Sequence, residues 1–122
     1  MASRPIRIPG PDHPITVTRS DAHVVVRAAG QVIAETRRAL ELREASYPPV
    51  FYIPRADADM TLLVRTEHAS YCPYKGEAAY FSIRGGAENA VWSYEAPYAA
   101  VAEIGNHLAF YPDRVEAIEV NR

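Results

Sequence analysis

Short apolar runs of period two, each closed by turn residues, recur from Ile15 to the end of the chain. No other feature constrains the fold as much, because alternate side chains of a strand point to opposite faces of a sheet. Residues 15–18, 23–27 and 31–35 read as strands, the last two joined as a hairpin across Ala28-Ala29-Gly30. Residues 51–53, 61–65, 78–84, 90–95, 107–111 and 117–120 continue the pattern, and Gly85-Gly86 supplies the turn between 78–84 and 90–95. Segment 36–45 has helix-forming composition, yet Leu40 and Leu42 alternate with Glu41 and Arg43, and the strand reading is preferred. One helical turn is expected over 55–60 after Pro54, and a short helix over 98–104 between Pro97 and Gly105. About nine short strands with one or two short helices imply an all-β, mostly antiparallel fold.

The first fourteen residues differ. Pro5, Pro9, Pro11 and Pro14, with Gly10, remove amide donors and fix φ, so 1–14 reads as an extended arm ahead of a single domain over 15–122. A chain of 122 residues supports one core. No apolar run approaches the roughly 20 residues that span a bilayer, so no membrane partner is expected. The start of the chain lacks the apolar stretch of a secretory signal, and the expected location is the cytoplasm. A single cysteine cannot form an internal disulfide. A net charge of −2 gives no basic excess for nucleic acid.

The basic residues are arginines with one exception, Lys75, within Cys72-Pro73-Tyr74-Lys75-Gly76. Pro73 pushes Cys72 toward extended geometry and Gly76 permits a sharp turn. A compact ammonium at Lys75 could bind a phosphate or carboxylate, or lower the pKa of the Cys72 thiol. The plainer alternative is a tight turn with a solvated lysine. Tyrosines outnumber phenylalanines eight to three. Trp92 and Tyr94, two apart in a strand, share a face; Tyr80 alternates similarly with Ser82, opposite Phe81 and Ile83, and Tyr98 lies near the strand end. These rings suit either the walls of a concave site or ordinary cross-strand pairs. Arg55, at the start of the expected helical turn, could meet an anion, or form a salt bridge with Glu77, Glu95 or Asp57. Asp57-Ala58-Asp59 has the bare spacing of a metal-binding carboxylate pair, but a helical turn would point the two side chains apart. His13, His23, His68 and His107 are too scattered for a metal shell, and no phosphate loop or dinucleotide fingerprint is present. Neither a metal nor a cofactor is expected.

Four motifs in order, Tyr52-Ile53-Pro54-Arg55, Cys72-Pro73-Tyr74-Lys75-Gly76, Trp92-Ser93-Tyr94-Glu95-Ala96-Pro97 and Ala109-Phe110-Tyr111, give the chain a resemblance to a bacterial family. It resembles the family called domain of unknown function 427, sometimes labelled a nucleotidyltransferase domain, over about residues 17–120. The resemblance implies a β-tent (Mss4-like) fold, two antiparallel sheets meeting at a steep angle. Better-known β-tent proteins hold a structural zinc with two Cys-x-x-Cys pairs, for which Cys72 alone is insufficient. Others bind small ligands in an aromatic cage where the sheets join. The resulting expectation is a small polar or anionic ligand held between the sheets, with Trp92, Tyr94 and Tyr98 as walls, Lys75 and Arg55 supplying charge, and Cys72 nearby. Two alternatives stand beside it: an enzyme with Cys72 as nucleophile activated by Lys75 or a histidine, and a protein-interaction module or homodimer.

Overall fold

Alternation in the apolar runs becomes ten strands in a computed structural model, which describes residues 4–122. They are β1 (Ile15–Arg19), β2 (His23–Ala28), β3 (Gln31–Thr36), β4 (Leu40–Glu44), β5 (Val50–Pro54), β6 (Leu63–Cys72), β7 (Gly76–Ile83), β8 (Val91–Tyr94), β9 (His107–Phe110) and β10 (Ala117–Asn121). The strands form two antiparallel sheets. One has seven strands in the order β1-β4-β5-β9-β8-β7-β6, and the other has three in the order β10-β2-β3. Helical structure among the described residues is confined to 3-10 turns at Arg55–Asp57, Met60–Leu62, Ala99–Ile104 and Pro112–Arg114. The all-β expectation therefore holds.

Local chemistry accounts for the joints. The β2–β3 hairpin turns through Ala29 and Gly30, at φ of 52° and 73°, the left-handed pair that matches strand twist. Ala29 accepts this region at a cost of roughly 1–2 kcal/mol. In segment 36–45 the alternation of Leu40 and Leu42 outweighs helix propensity, because β4 is held on both sides, by β1 and by β5. Strand β6 runs on to Cys72, well past the expected end at Arg65. It is an edge strand, mostly exposed, and its register is irregular between Arg65 and Ala69. A strand with no buried face carries no period-two signal, and such a bulge protects an edge from further pairing. The expected helix near 98–104 forms as a 3-10 segment broken at Val101 (φ −129°).

Each face of the seven-stranded sheet has its own apolar cluster. Ile53, Phe81, Val91, Leu108 and Phe110 face the three-stranded sheet and pack with Val24, Val26 and Ile33. Full burial of each such side chain contributes about 1.5–3 kcal/mol. Leu42, Tyr52, Tyr80, Tyr94 and Ala109 gather on the opposite face.

That second face is concave, as register shows. Tyr80 pairs with Trp92, Trp92 with Ala109, and Tyr52 with Leu40, along one row that crosses the sheet from β7 to β4. Glu44 lies beyond this row at one end of β4, and Lys75 beyond it at the opposite end of β7. A flat sheet would separate these corners by about 19 Å across the strands and about 30 Å along them. Yet Lys75 Nζ lies 2.5 Å from Glu44 Oε1. The sheet coils, as twisted sheets do, until two diagonally opposite corners close over the row of rings.

Candidate ligand site

A cavity of about 340 Å³ lies under the closed corners. Tyr52, Tyr80, Trp92 and Tyr94 line it from the sheet, and Tyr111 from the end of β9. Ala109, the small residue between Tyr52 and Trp92, lets the Trp92 indole Nε1 donate to the Tyr52 hydroxyl at 3.2 Å. The rings meet edge to face. Trp92 also lies 4.5 Å from the Tyr111 ring. The hydroxyls of Ser70, Tyr80 and Tyr111 form a chain, with contacts of 2.8 and 3.2 Å.

The charged end is built by the turn between β6 and β7. Lys75 N donates to Cys72 O, and Gly76 follows at φ +107°, a conformation that favours glycine. This turn directs Lys75 inward, and the residue is only 8% exposed. Its ammonium donates to Glu44 and lies 5.9 Å from the centre of the Tyr94 ring. Glu44 Oε2 contacts His13 Nε2 at 2.7 Å, and the His13 ring stacks on Tyr74. Burial alone would push the Glu44 carboxyl up, but hydrogen bonds from Lys75 and His13 outweigh it and hold the group below its ordinary value. Burial drives the Tyr52 and Tyr94 hydroxyls far above the usual phenol range. Tyr111 is raised to about 12, by burial first and then by its bond with Tyr80.

Of the residues singled out in the sequence, Cys72, Lys75, Trp92 and Tyr94 line this cavity. Tyr98 stands behind the wall, its hydroxyl 2.7 Å from that of Tyr71. Arg55 is elsewhere: it donates to Ser93 Oγ and Glu95 Oε2, at 3.1 and 2.7 Å, and its guanidinium covers Phe81. Ser93 and Phe81 alternate with Trp92 and Tyr80, which places Arg55 on the opposite face of the sheet. The expected location between the two sheets also needs correction. The aromatic cavity lies on the face turned away from the three-stranded sheet, and the space between the sheets is a separate apolar cavity of about 310 Å³ with Val24, Phe51 and Ile118 among its lining residues.

Tyr80, also singled out in the sequence, lines the cavity, whereas sequence reasoning missed Glu44, Tyr52 and Tyr111. The spacing Leu40-x-Leu42-x-Glu44 was the available signal, since it puts a carboxylate on the apolar face of β4.

The family model described as domain of unknown function (DUF427), with the label NTP_transf_9, matches residues 16–121. The chain belongs to this family. No curated protein matches it. In this DUF427 domain the Asp57 and Asp59 carboxylates serve the fold. Asp57 accepts from Thr36 and Arg38, and Asp59 accepts from the backbone N–H and hydroxyl of Thr61. No three His, Cys, Asp or Glu side chains among the described residues group as a metal site. Cys72 shares the cavity with Lys75, but the ammonium is bonded to Glu44, and no side-chain hydrogen bond among the described residues joins the Cys72 thiol to Lys75 or to a histidine. No helix among the described residues is long and apolar enough to cross a membrane.

Proposed function

We propose that this domain binds a small polar or anionic molecule in the aromatic cavity of its seven-stranded sheet. The observation that carries this reading is the Lys75–Glu44 pair, withdrawn from solvent and set into the wall of that cavity. Burying two charges costs several kcal/mol per ion before their attraction is counted. Apolar side chains of similar volume would close the corner at less cost, so a recognition role explains the pair better than stability does. The ring-lined walls with a few convergent polar groups match the general make-up of small-molecule sites. The test is a thermal-shift screen of the purified chain against nucleotides, sugar phosphates, amino acids and small carboxylates. A ligand at a hundred times its Kd adds about 2.7 kcal/mol of stability, several degrees for a domain of this size. Silence from every class would overturn the reading.

One observation favours a second reading, an interaction module or homodimer. Ile6 and Ile8, on the N-terminal arm, are 63% and 85% exposed. Light scattering of the chain without residues 1–9 tests it, and an unchanged mass and partner profile would remove the arm from consideration.

A further inference from the structure

Several donors in the cavity have no acceptor among the described residues. Glu44 is its one carboxylate, and both oxygens are engaged, Oε1 by Lys75 and Oε2 by His13. The Lys75 ammonium has three protons and, among the described residues, one acceptor. Tyr52 is 1% exposed and its hydroxyl accepts from Trp92, so its own proton lacks an acceptor among the described residues. The Ser70–Tyr80–Tyr111 chain joins three hydroxyls through two hydrogen bonds, which leaves one proton over. Unsatisfied buried donors are costly, which applies to Lys75 and Tyr52; the hydroxyl chain, which reaches the surface at Ser70, lines the same cavity. A group made of acceptors alone would satisfy them, which describes an oxyanion.

Charge and size narrow the class. None of the chain's arginines lines the cavity, and the single cation there is opposed by Glu44. Phosphate recognition ordinarily enlists arginine forks or helix N-termini, so a singly charged head fits this site better than a phosphate. The volume of about 340 Å³ lies near the lower end of small-molecule sites, about 300–1,000 Å³. Rings on several sides suit a flat, apolar body. Resting on the reading of this cavity as a ligand site, we infer that its ligand is a small aromatic or otherwise planar monocarboxylate, with the carboxylate on Lys75 and the Tyr52 hydroxyl and the body against Trp92 and Tyr111.

The test is isothermal calorimetry on the full chain with matched probes: benzoate, benzamide and phenyl phosphate. The expected order is benzoate first, with benzamide and phenyl phosphate each at least tenfold weaker. The variant Tyr52→Phe keeps the ring and removes one donor; it should weaken benzoate several-fold and benzamide less, because the hydroxyl's bond to a carboxylate is charge-assisted and its bond to an amide carbonyl is not. The double variant Lys75→Met with Glu44→Gln removes both charges together and should abolish the preference for benzoate over benzamide. Equal binding of benzoate and benzamide would overturn the oxyanion while leaving the cavity a ligand site. Tighter binding of phenyl phosphate would overturn the carboxylate assignment. No heat from any probe would overturn the ligand class named here, and the broader thermal-shift screen then decides separately whether the cavity binds anything.

Discussion

Lys75 and Glu44 meet at 2.5 Å from diagonally opposite corners of one seven-stranded sheet. Backbone hydrogen bonds cannot make that closure, because β4 and β7 have three strands between them. The pair therefore fastens the coil of the sheet, and it shapes the cavity beneath. The N-terminal arm reinforces the same closure. His13 and Pro14 bond to Glu44 and Ala45 at one corner, while Pro5 and Arg7 bond to Tyr71 and Pro73 at the other.

Removing one partner leaves the other charge buried alone. Lys75→Met should cost about 3 kcal/mol of stability, and Glu44→Gln a comparable amount, the lower end of the range for buried pairs because both side chains retain slight solvent contact. The double variant should recover much of the loss, giving a coupling above about 1 kcal/mol in urea unfolding. Additive losses would mean that the corners are held by other contacts.

Acid should open this corner. The Glu44 carboxyl sits below its ordinary value of 4.5 in the folded chain, as does Glu95 between Arg65 and Arg55. A depressed folded value contributes stability above the unfolded value, and that contribution is lost as pH falls through the folded one. Melting temperature should therefore fall as pH drops below about 4.5. The Glu44→Gln variant should show a shallower slope there, and a slope identical to wild type would remove Glu44 from the acid transition.

Strands with a buried face were legible. In β7, Tyr80 alternates with Phe81 between two apolar clusters, and the pattern Ala-Ala-Tyr-Phe-Ser-Ile declares it. The later part of β6 was not, because an edge strand exposed on both sides gives no periodicity. The site divides in the same way. Lys75 stood out as the only lysine, and Trp92 and Tyr94 as rings two apart in a strand. Arg55 was misplaced because the motif around Pro54 fixes the chain locally but says nothing about the side of the sheet on which its charge falls. Glu44 joins the site only through the coiling of the whole sheet, a long-range property that no local pattern records.

Alkaline pH should destabilise the chain through the same face. Burial raises the Tyr52 and Tyr94 hydroxyls well above the phenol value of 10.0. A raised folded value contributes stability that is complete below the unfolded one and is lost as pH rises past it. The melting temperature should decline above pH 10, and absorbance titration should show these two rings ionising only with unfolding. Early, reversible ionisation of all eight tyrosines would contradict their burial.

The turn that aims Lys75 depends on Gly76. At φ +107° a Cβ is strained whatever the space around it, and its nearest neighbour would be Ala96 O at 3.6 Å, an ordinary contact. Gly76→Ala should therefore lose about 1–3 kcal/mol through the backbone alone. Unfolding in urea measures it, and a loss below about 0.5 kcal/mol, the size of an ordinary surface substitution, would show that the turn relaxes freely.

Trp92 reports occupancy of the cavity without a label. It is the only tryptophan in the chain, it lines the cavity, and its indole N–H is bonded to Tyr52. A benzoate seated against it should change its emission along the same saturation curve that calorimetry follows. Tyr52→Phe should shift the emission of the free protein by removing the indole's acceptor. Calorimetric heat with silent fluorescence would place the anion elsewhere. The open groove lined by Arg19, Arg37 and Arg38 is the obvious alternative, since these arginines are exposed and Trp92 does not border it. Arg37→Ala would then lower the heat while Lys75 and Tyr52 variants left it unchanged, and the carboxylate would have been drawn to an arginine surface instead of to the lysine under the rings.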